Sequence, residues 1–181
     1  SAGRAFTEQV LMSLATRYWD LITKTATTYK LDPVLVEALV VKESAGNTDA
    51  FRFERIFWNR LLKPKPEWTA KNPRRVASSY GLMQIMYPVA LERGYPPHLP
   101  PEGLFVPEVG LEYGCKHLRW LLDWADKGWP TLTPEVRLEA CLASYNGGRG
   151  GNAPGTLLRN GVYSRDVLKL YSLLKREHLN P

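Results

Sequence analysis

The chain has few of the residues on which crosslinked, metal-binding and membrane-spanning proteins depend. It contains two cysteines and three histidines in 181 residues, and neither set has the spacing of a disulfide framework or of paired metal ligands. No run of about 18 apolar residues occurs, which excludes a transmembrane helix. The amino terminus lacks a basic segment followed by an apolar one, so we predict no signal peptide in this chain. We also predict no cofactor and no metal site.

The two cysteines, Cys115 and Cys141, fall on predicted helices and are flanked by apolar residues. This pattern favours buried free thiols. A disulfide between them is the alternative, and it would indicate an oxidising compartment.

The size of the chain fits one compact domain. With 44% hydrophobic residues, it can bury a core without metals or crosslinks. We predict a single domain over residues 1–181, with an ordered core at about 7–178. The net charge of +6 and the isoelectric point near 9.4 favour an anionic partner. Nucleic acid, an anionic membrane and the bacterial cell wall all meet that condition.

Helical periodicity dominates the chain, and strand-like alternation is nearly absent. Prolines interrupt residues 48–79 at Pro64, Pro66 and Pro73, so this segment is predicted to be an irregular or β-hairpin excursion. The fold class is therefore mainly α. The predicted helices cover about residues 7–29, 33–44, 88–93, 107–126, 134–145 and 164–177.

Glu43 lies at the end of the most apolar helical stretch, residues 33–44. It shares a stripe with Val36 and Val40, which places its carboxyl group on the buried face of the helix. Burial and the negative end of the helix dipole both raise the pKa of a carboxyl group there, as a proton donor requires. A structural ion pair with a basic residue is the alternative. Glu37, on the same helix, is predicted to be a solvated face residue.

Two further segments combine polar side chains with glycines. Tyr145-Asn146-Gly147-Gly148 ends a predicted helix, and Gly81-Leu82-Met83-Gln84 joins apolar anchors to one amide. Such a helix end can present polar groups into a cleft. Taken alone, each segment is equally typical of ordinary structure, the first as a helix stop and the second as core and surface residues.

In order along the chain, these motifs resemble those of the lytic transglycosylase family, the lysozyme-like enzymes that cleave bacterial peptidoglycan. The Glu-Ser pair of the family matches Glu43-Ser44, its Gly-Leu-Met-Gln signature matches residues 81–84, and its Ala-x-Tyr-Asn-x-Gly signature matches residues 143–148. The resemblance covers roughly residues 31–170. It implies a lysozyme-like fold with a substrate cleft.

The resemblance also implies a mechanism with one carboxylic acid. Glu43 is expected to protonate the glycosidic oxygen between N-acetylmuramic acid and N-acetylglucosamine, and then to activate the muramyl 6-hydroxyl as a base. A 1,6-anhydromuramic product results. Tyr163 is expected to lie near Glu43 and orient it. Matching positions carry over the substrate-binding residues as Ser44, Ser79, Met83, Gln84, Tyr145, Asn146 and Tyr163.

The segment between Glu43 and Gly81 is longer than the usual connector of the family. Asp49 or Glu54 in this segment can supply a second carboxylate, as in the hydrolytic goose-type lysozymes, and the product is then that of a muramidase. Solvent exposure or pairing of these carboxylates with Arg52 or Arg55 is the alternative. The segment also contains three large aromatic residues that form either a sugar-stacking wall or core, namely Phe53, Trp58 and Trp68.

Basic residues around Trp68 make nucleic-acid binding a rival function class. Prolines interrupt these residues, and no known nucleic-acid module surrounds them, so a solvated surface or contact with peptidoglycan stems is favoured. We predict peptidoglycan glycan strands as the partner, no nucleic acid, and a monomer. The expected location is extracytoplasmic, in the periplasm or cell wall, or phage-associated. A non-catalytic cell-wall binding module is the remaining alternative.

Overall fold

The computed structural model describes residues 17–179 and is mainly α-helical, as predicted. Residues 7–16 of the first predicted helix lie outside this range. The α-helices are α1 Trp19–Thr28, α2 Pro33–Ser44, α3 Arg55–Phe57, α4 Pro73–Val76, α5 Tyr87–Glu92, α6 Pro107–Gly128, α7 Pro134–Gly147 and α8 Gly161–Leu179. A π-helix covers Trp58–Leu62, and 3₁₀ helices cover Pro66–Trp68 and Pro101–Phe105. The strands are β1 Phe51–Phe53, β2 Ser78–Tyr80 and β3 Ile85–Met86.

Helix α2 is the central element of the larger core. The Asp32 side chain caps it by accepting a hydrogen bond from the backbone N–H of Val34 at 2.8 Å. The helix ends at Ser44, and the next residue, Ala45, has a left-handed φ of 52° that caps it. Residues 35–41 are all buried against α1, α6, α7 and α8. Glu43, in the last turn, therefore stands on a rigid support.

The prediction for Glu37 is wrong. Its side chain is 0% exposed, and its Oε2 atom lies 2.9 Å from Nε2 of His178. The His178 ring in turn stacks on Trp19, with the ring centroids 4.2 Å apart. Local periodicity predicts that the face of α2 with Glu37 is exposed to solvent. Helices α1 and α8 cover that face, so Glu37 is an interior residue.

The predicted excursion is confirmed as a β-sheet extension. Strands β1, β2 and β3 pair antiparallel in that order, and Ser79 lies opposite Arg52 on one side and Met86 on the other. The connection from β1 to β2 contains short helical turns. Three aromatic side chains of β1 and this connection pack against a second core beside the sheet and do not form a free wall, namely Phe53, Trp58 and Trp68.

The turn between β2 and β3 requires glycine at position 81. Gly81 has a φ of +70°, and a Cβ atom there would lie 2.6 Å from the carbonyl oxygen of Leu104. This close approach holds the Gly81-Leu82-Met83-Gln84 motif against the 3₁₀ helix that precedes α6.

Helix α6 spans the molecule and buries Leu111, Cys115, Leu118 and Leu121 on one face. Cys115 and Cys141 are both buried and free, as favoured by the sequence, and burial raises the pKa of each thiol to about 12. Within residues 17–179 no helix combines the length and the apolarity needed to cross a membrane.

A close contact between α6 and Met83 predicts a stability defect for Gly114→Ala. A Cβ atom at Gly114 would lie 2.7 Å from the Cβ atom of Met83, so the two backbones would have to separate. We expect a loss of about 1–3 kcal/mol in the free energy of unfolding, measured by urea denaturation. Gly128→Ala on the same helix is the matched control, because nothing lies within 4 Å of its added methyl group. Equal stability of the two variants would contradict the packing argument.

Candidate active site

A cavity of about 410 Å³ lies where α2, the sheet, α5, α6 and α7 meet. Of the predicted site residues, five line it: Glu43, Ser79, Gln84, Tyr145 and Asn146. These residues are far apart in the sequence. They meet in space because the β2–β3 turn and the end of α7 both fold against the carboxyl end of α2. The cavity is therefore built from the three motifs together.

Glu43 is partly buried at the cavity wall. Burial raises the pKa of its carboxyl group, and the nearby Glu54 raises it further. The hydroxyl of Tyr163 opposes this shift by donating a hydrogen bond to Oε1 of Glu43, and the positive charges of Arg52 and Lys42 also oppose it. The upward effect of burial dominates. The carboxyl group thus favours its protonated form more than a free glutamate does, as a proton donor requires.

Tyr163 reaches Glu43 from α8, across the face of α2. Burial and the Glu43 charge raise the pKa of its phenol well above the ordinary value. The phenol therefore stays protonated and remains a hydrogen-bond donor to Oε1. Lys42 stands 5.6 Å from the centroid of the Tyr163 ring and pairs with Asp166 of α8 at 2.8 Å. This pairing of α2 with α8 orients the tyrosine beside the carboxyl group.

Ser44 and Met83 do not line the cavity. The Ser44 hydroxyl lies 2.8 Å from the carbonyl oxygen of Leu82, to which it donates. The Met83 side chain is 0% exposed and packs over Gly114, so it has no free surface for a sugar. The Met83 carbonyl accepts a hydrogen bond from the Tyr145 hydroxyl at 2.7 Å. Both residues thus join the motifs to one another behind the cavity wall.

Gln84 and Asn146 leave complementary polar atoms for a ligand. Gln84 donates from Nε2 to the carbonyl oxygens of Ala50 at 2.9 Å and Gly81 at 3.1 Å, whereas its Oε1 has no partner within residues 17–179. Asn146 accepts at Oδ1 from Nδ2 of Asn160 at 2.8 Å, and in the same range its own Nδ2 has none. The cavity wall therefore offers one acceptor and one donor whose positions are fixed by backbone and side-chain contacts.

Of the two candidate second carboxylates, the structure brings one into the cavity. Glu54 lines it and forms an ion pair with Arg52, whose Nε lies 2.6 Å from Oε1 of Glu54. Asp49 is exposed, is not among the lining residues, and lies in a turn in which its N–H donates to the Asn47 side chain. Glu54 therefore fits both interpretations of the sequence: it is paired with arginine, and it lines the same cavity as Glu43.

Several lining residues are not marked by any sequence motif, among them Arg93, His117, Trp120 and Arg149. Burial and the Arg93 charge lower the pKa of His117 to about 3, so its ring is neutral. The helical spacing of His117 and Trp120 on α6 is the one sequence signal that relates any of them. Among residues 17–179 no group of three or more His, Cys, Asp or Glu side chains could hold a metal ion.

Comparison with known proteins provides a family and a fold. The sequence profile described as transglycosylase SLT domain matches residues 20–154. Among solved structures, the 70 kDa soluble lytic transglycosylase SLT70 from Escherichia coli matches with a TM-score of 0.60 and 19% identity. The match covers 90% of this chain and 24% of SLT70, so this chain spans about a quarter of that enzyme. It confirms the lysozyme-like fold. No curated protein matches the chain by sequence.

Proposed function

The chain belongs to the transglycosylase SLT domain family, and we propose on that basis that it is a peptidoglycan lytic transglycosylase. The bond cleaved is the β-1,4 linkage between N-acetylmuramic acid and N-acetylglucosamine, and the product is a 1,6-anhydromuramic end. One observation carries the assignment of Glu43 as the acid: a carboxyl group with a raised pKa stands at the cavity wall beside a phenol donor.

The proposed reaction uses Glu43 twice. As an acid, it protonates the glycosidic oxygen, the bond from that oxygen to the muramyl anomeric carbon breaks, and the other sugar leaves with a free 4-hydroxyl group. As a carboxylate, it then removes the proton of the muramyl 6-hydroxyl while that oxygen bonds to the anomeric carbon. The proton returns to Glu43, so no other reactant is consumed. Between the two steps the Tyr163 hydrogen bond stabilises the carboxylate.

Residues of the cavity wall are proposed to hold the glycan strand. The free oxygen of Gln84 and the free amide nitrogen of Asn146 suit the acetamido and hydroxyl groups of amino sugars. Ser79 and Tyr145 lie on the same wall and are proposed as further contacts. Ser44 and Met83 are proposed to act indirectly, by keeping the β2–β3 turn against α2.

Hydrolysis by a muramidase mechanism is the second candidate, because Glu54 shares the cavity with Glu43. Mass spectrometry of digested peptidoglycan separates the two reactions. Anhydromuramic ends support intramolecular transfer, and reducing ends support addition of water. Binding to the cell wall without any released muropeptide would instead support a non-catalytic module.

Glu54→Gln tests the part played by this second carboxylate. We expect the variant to form anhydromuramic ends still, with the alkaline limb of its rate profile moved to lower pH. The Glu54 charge raises the pKa of Glu43, and its removal also frees the Arg52 charge to lower that pKa. Glu43 must be protonated to act, so activity is then lost at a lower pH. A profile measured on peptidoglycan fragments checks the shift. If the wild type formed reducing ends and Glu54→Gln did not, the result would favour the muramidase mechanism.

The site of action is proposed to be extracytoplasmic, where peptidoglycan lies, with glycan strands as the partner. We further propose that residues 1–181 act as one catalytic domain and as a monomer. Sedimentation of the purified chain and zymography on embedded cell walls test these statements directly.

A further inference from the structure

One end of the cavity carries two arginines on a single indole. The Arg93 guanidinium carbon lies 3.9 Å from the centroid of the Trp120 ring, and that of Arg149 lies 4.6 Å from it. His117 stacks on the same ring with an interplanar angle of 16°. All four residues line the cavity, and they define what we call the arginine end. The arrangement concentrates positive charge around a rigid aromatic plate.

The arginine end has few internal partners for its charge. Arg93 contacts the exposed Glu92 through Nη2 at 3.3 Å. Its Nε and the Nδ1 of His117 are buried and have no hydrogen-bond partner within residues 17–179. Over the same range the Arg149 side chain forms no ion pair or hydrogen bond, and its guanidinium lies over the rings of Trp120 and Trp124. Most of the N–H groups of the two guanidiniums thus have no partner among residues 17–179.

The electrostatics of this end favour an anion. Burial lowers the pKa of the Arg93 guanidinium, and repulsion from Arg149 lowers it further, whereas Glu92 opposes the shift. The neutral His117 adds no charge. One exposed carboxylate therefore faces two cations, and a second anion would relieve both the repulsion and the loss of hydration at Arg93.

The arginine end lies at a distance from the reacting acid. The Tyr145 ring interacts electrostatically with Glu43 and lies 5.5 Å, between ring centroids, from His117. The His117 ring lies a further 5.9 Å from Trp120. Neither arginine is among the charges that shift the pKa of Glu43, so both lie beyond the part of the wall that serves it. They suit a group attached to the sugar chain better than the reacting bond itself.

We propose that the arginine end binds a carboxylate of the peptide stem that the glycan strand carries. This rests on the proposed function, because a peptidoglycan strand is the substrate that brings stems to the cavity. Guanidinium groups form paired hydrogen bonds with planar carboxylates, and stacking on Trp120 fixes their orientation in advance. The site would select stem-bearing strands over bare glycan.

Binding to catalytically silent protein tests the proposal separately from the reaction. In a Glu43→Gln background, a tetrasaccharide fragment with its tetrapeptide stems is titrated by calorimetry, and so is the same fragment after amidase removal of the stems. We expect Arg149→Gln to weaken binding of the stem-bearing fragment about fivefold to tenfold and to leave binding of the bare fragment unchanged. Arg149→Lys keeps the charge but loses paired hydrogen bonding, so an intermediate loss is expected.

Arg165→Gln is the matched control, since Arg165 is exposed on α8 and does not line the cavity. It removes the same charge, and we expect it to change neither affinity. If Arg149→Gln weakened binding of both fragments equally, the arginines would be assigned to the sugars and the proposal would be overturned. A protein that bound neither fragment would also overturn it. A wild-type chain that binds the stem-bearing fragment selectively but releases no product would refute the proposed function alone.

Discussion

Glu43→Gln is expected to reduce peptidoglycan cleavage by at least about 100-fold and up to about 10⁴-fold, because an amide cannot donate the proton that the leaving oxygen needs. The substitution keeps the shape of the side chain, and its Oε1 can still accept the Tyr163 hydrogen bond. Release of soluble muropeptides from cell walls, followed by chromatography, measures the loss. Retained activity would exclude Glu43 as the acid.

The same variant should fold at least as well as the wild type at neutral pH. The pKa of Glu43 is raised in the folded protein, so in the pH window between the unfolded and folded pKa values the folded state binds more protons. The free energy of unfolding then falls as pH rises through that window, and Glu43→Gln removes this fall. Thermal melting of both proteins at a series of pH values, from the ordinary pKa of glutamate upward, checks the sign. Glu67→Gln, an exposed substitution in a 3₁₀ helix, is the matched control, with neither effect expected.

Tyr163→Phe is expected to lower kcat/KM about 10- to 100-fold, as loss of a hydrogen bond to a charged group costs about 1.5–3 kcal/mol. The alkaline limb of the pH profile should move to higher pH at the same time. The tyrosine hydrogen bond lowers the pKa of Glu43, against the raising effect of burial. Without that hydrogen bond the pKa rises, and the carboxyl group stays protonated to a higher pH. A purely structural role would lower the rate without moving the limb.

Tyr171→Phe is the matched control on the same helix. The Tyr171 hydroxyl also donates to a carboxylate, that of Asp32, but this pair lies at the start of α2 and outside the cavity. We expect a small stability loss and an unchanged pH profile. A similar shift in both variants would mean that α8 docking, rather than the phenol contact, sets the pKa of Glu43.

The sequence predicts those features that depend on neighbours a few residues away. The apolar stripe that includes Val36 and Val40 predicts the helix over residues 33–44 and places Glu43 in its last turn, as in α2. Proline breaks and helical periodicity likewise specify a mainly α chain with an irregular excursion. Each of these follows from local sterics and hydrogen bonding, which do not change with the rest of the fold.

Features that depend on which distant segments meet require the folded chain. Glu37 has the pattern of a surface residue and is buried, because His178 arrives from the far end of the chain. Met83 and Ser44 carry the motif expected of a substrate site, and only the folded chain shows that they contact Tyr145 and Leu82 behind the cavity wall. The arginine end joins residues from α6, from the end of α5 and from the loop that follows α7. Charge repulsion and burial at these places are properties of long-range packing, and no spacing along the sequence encodes them locally.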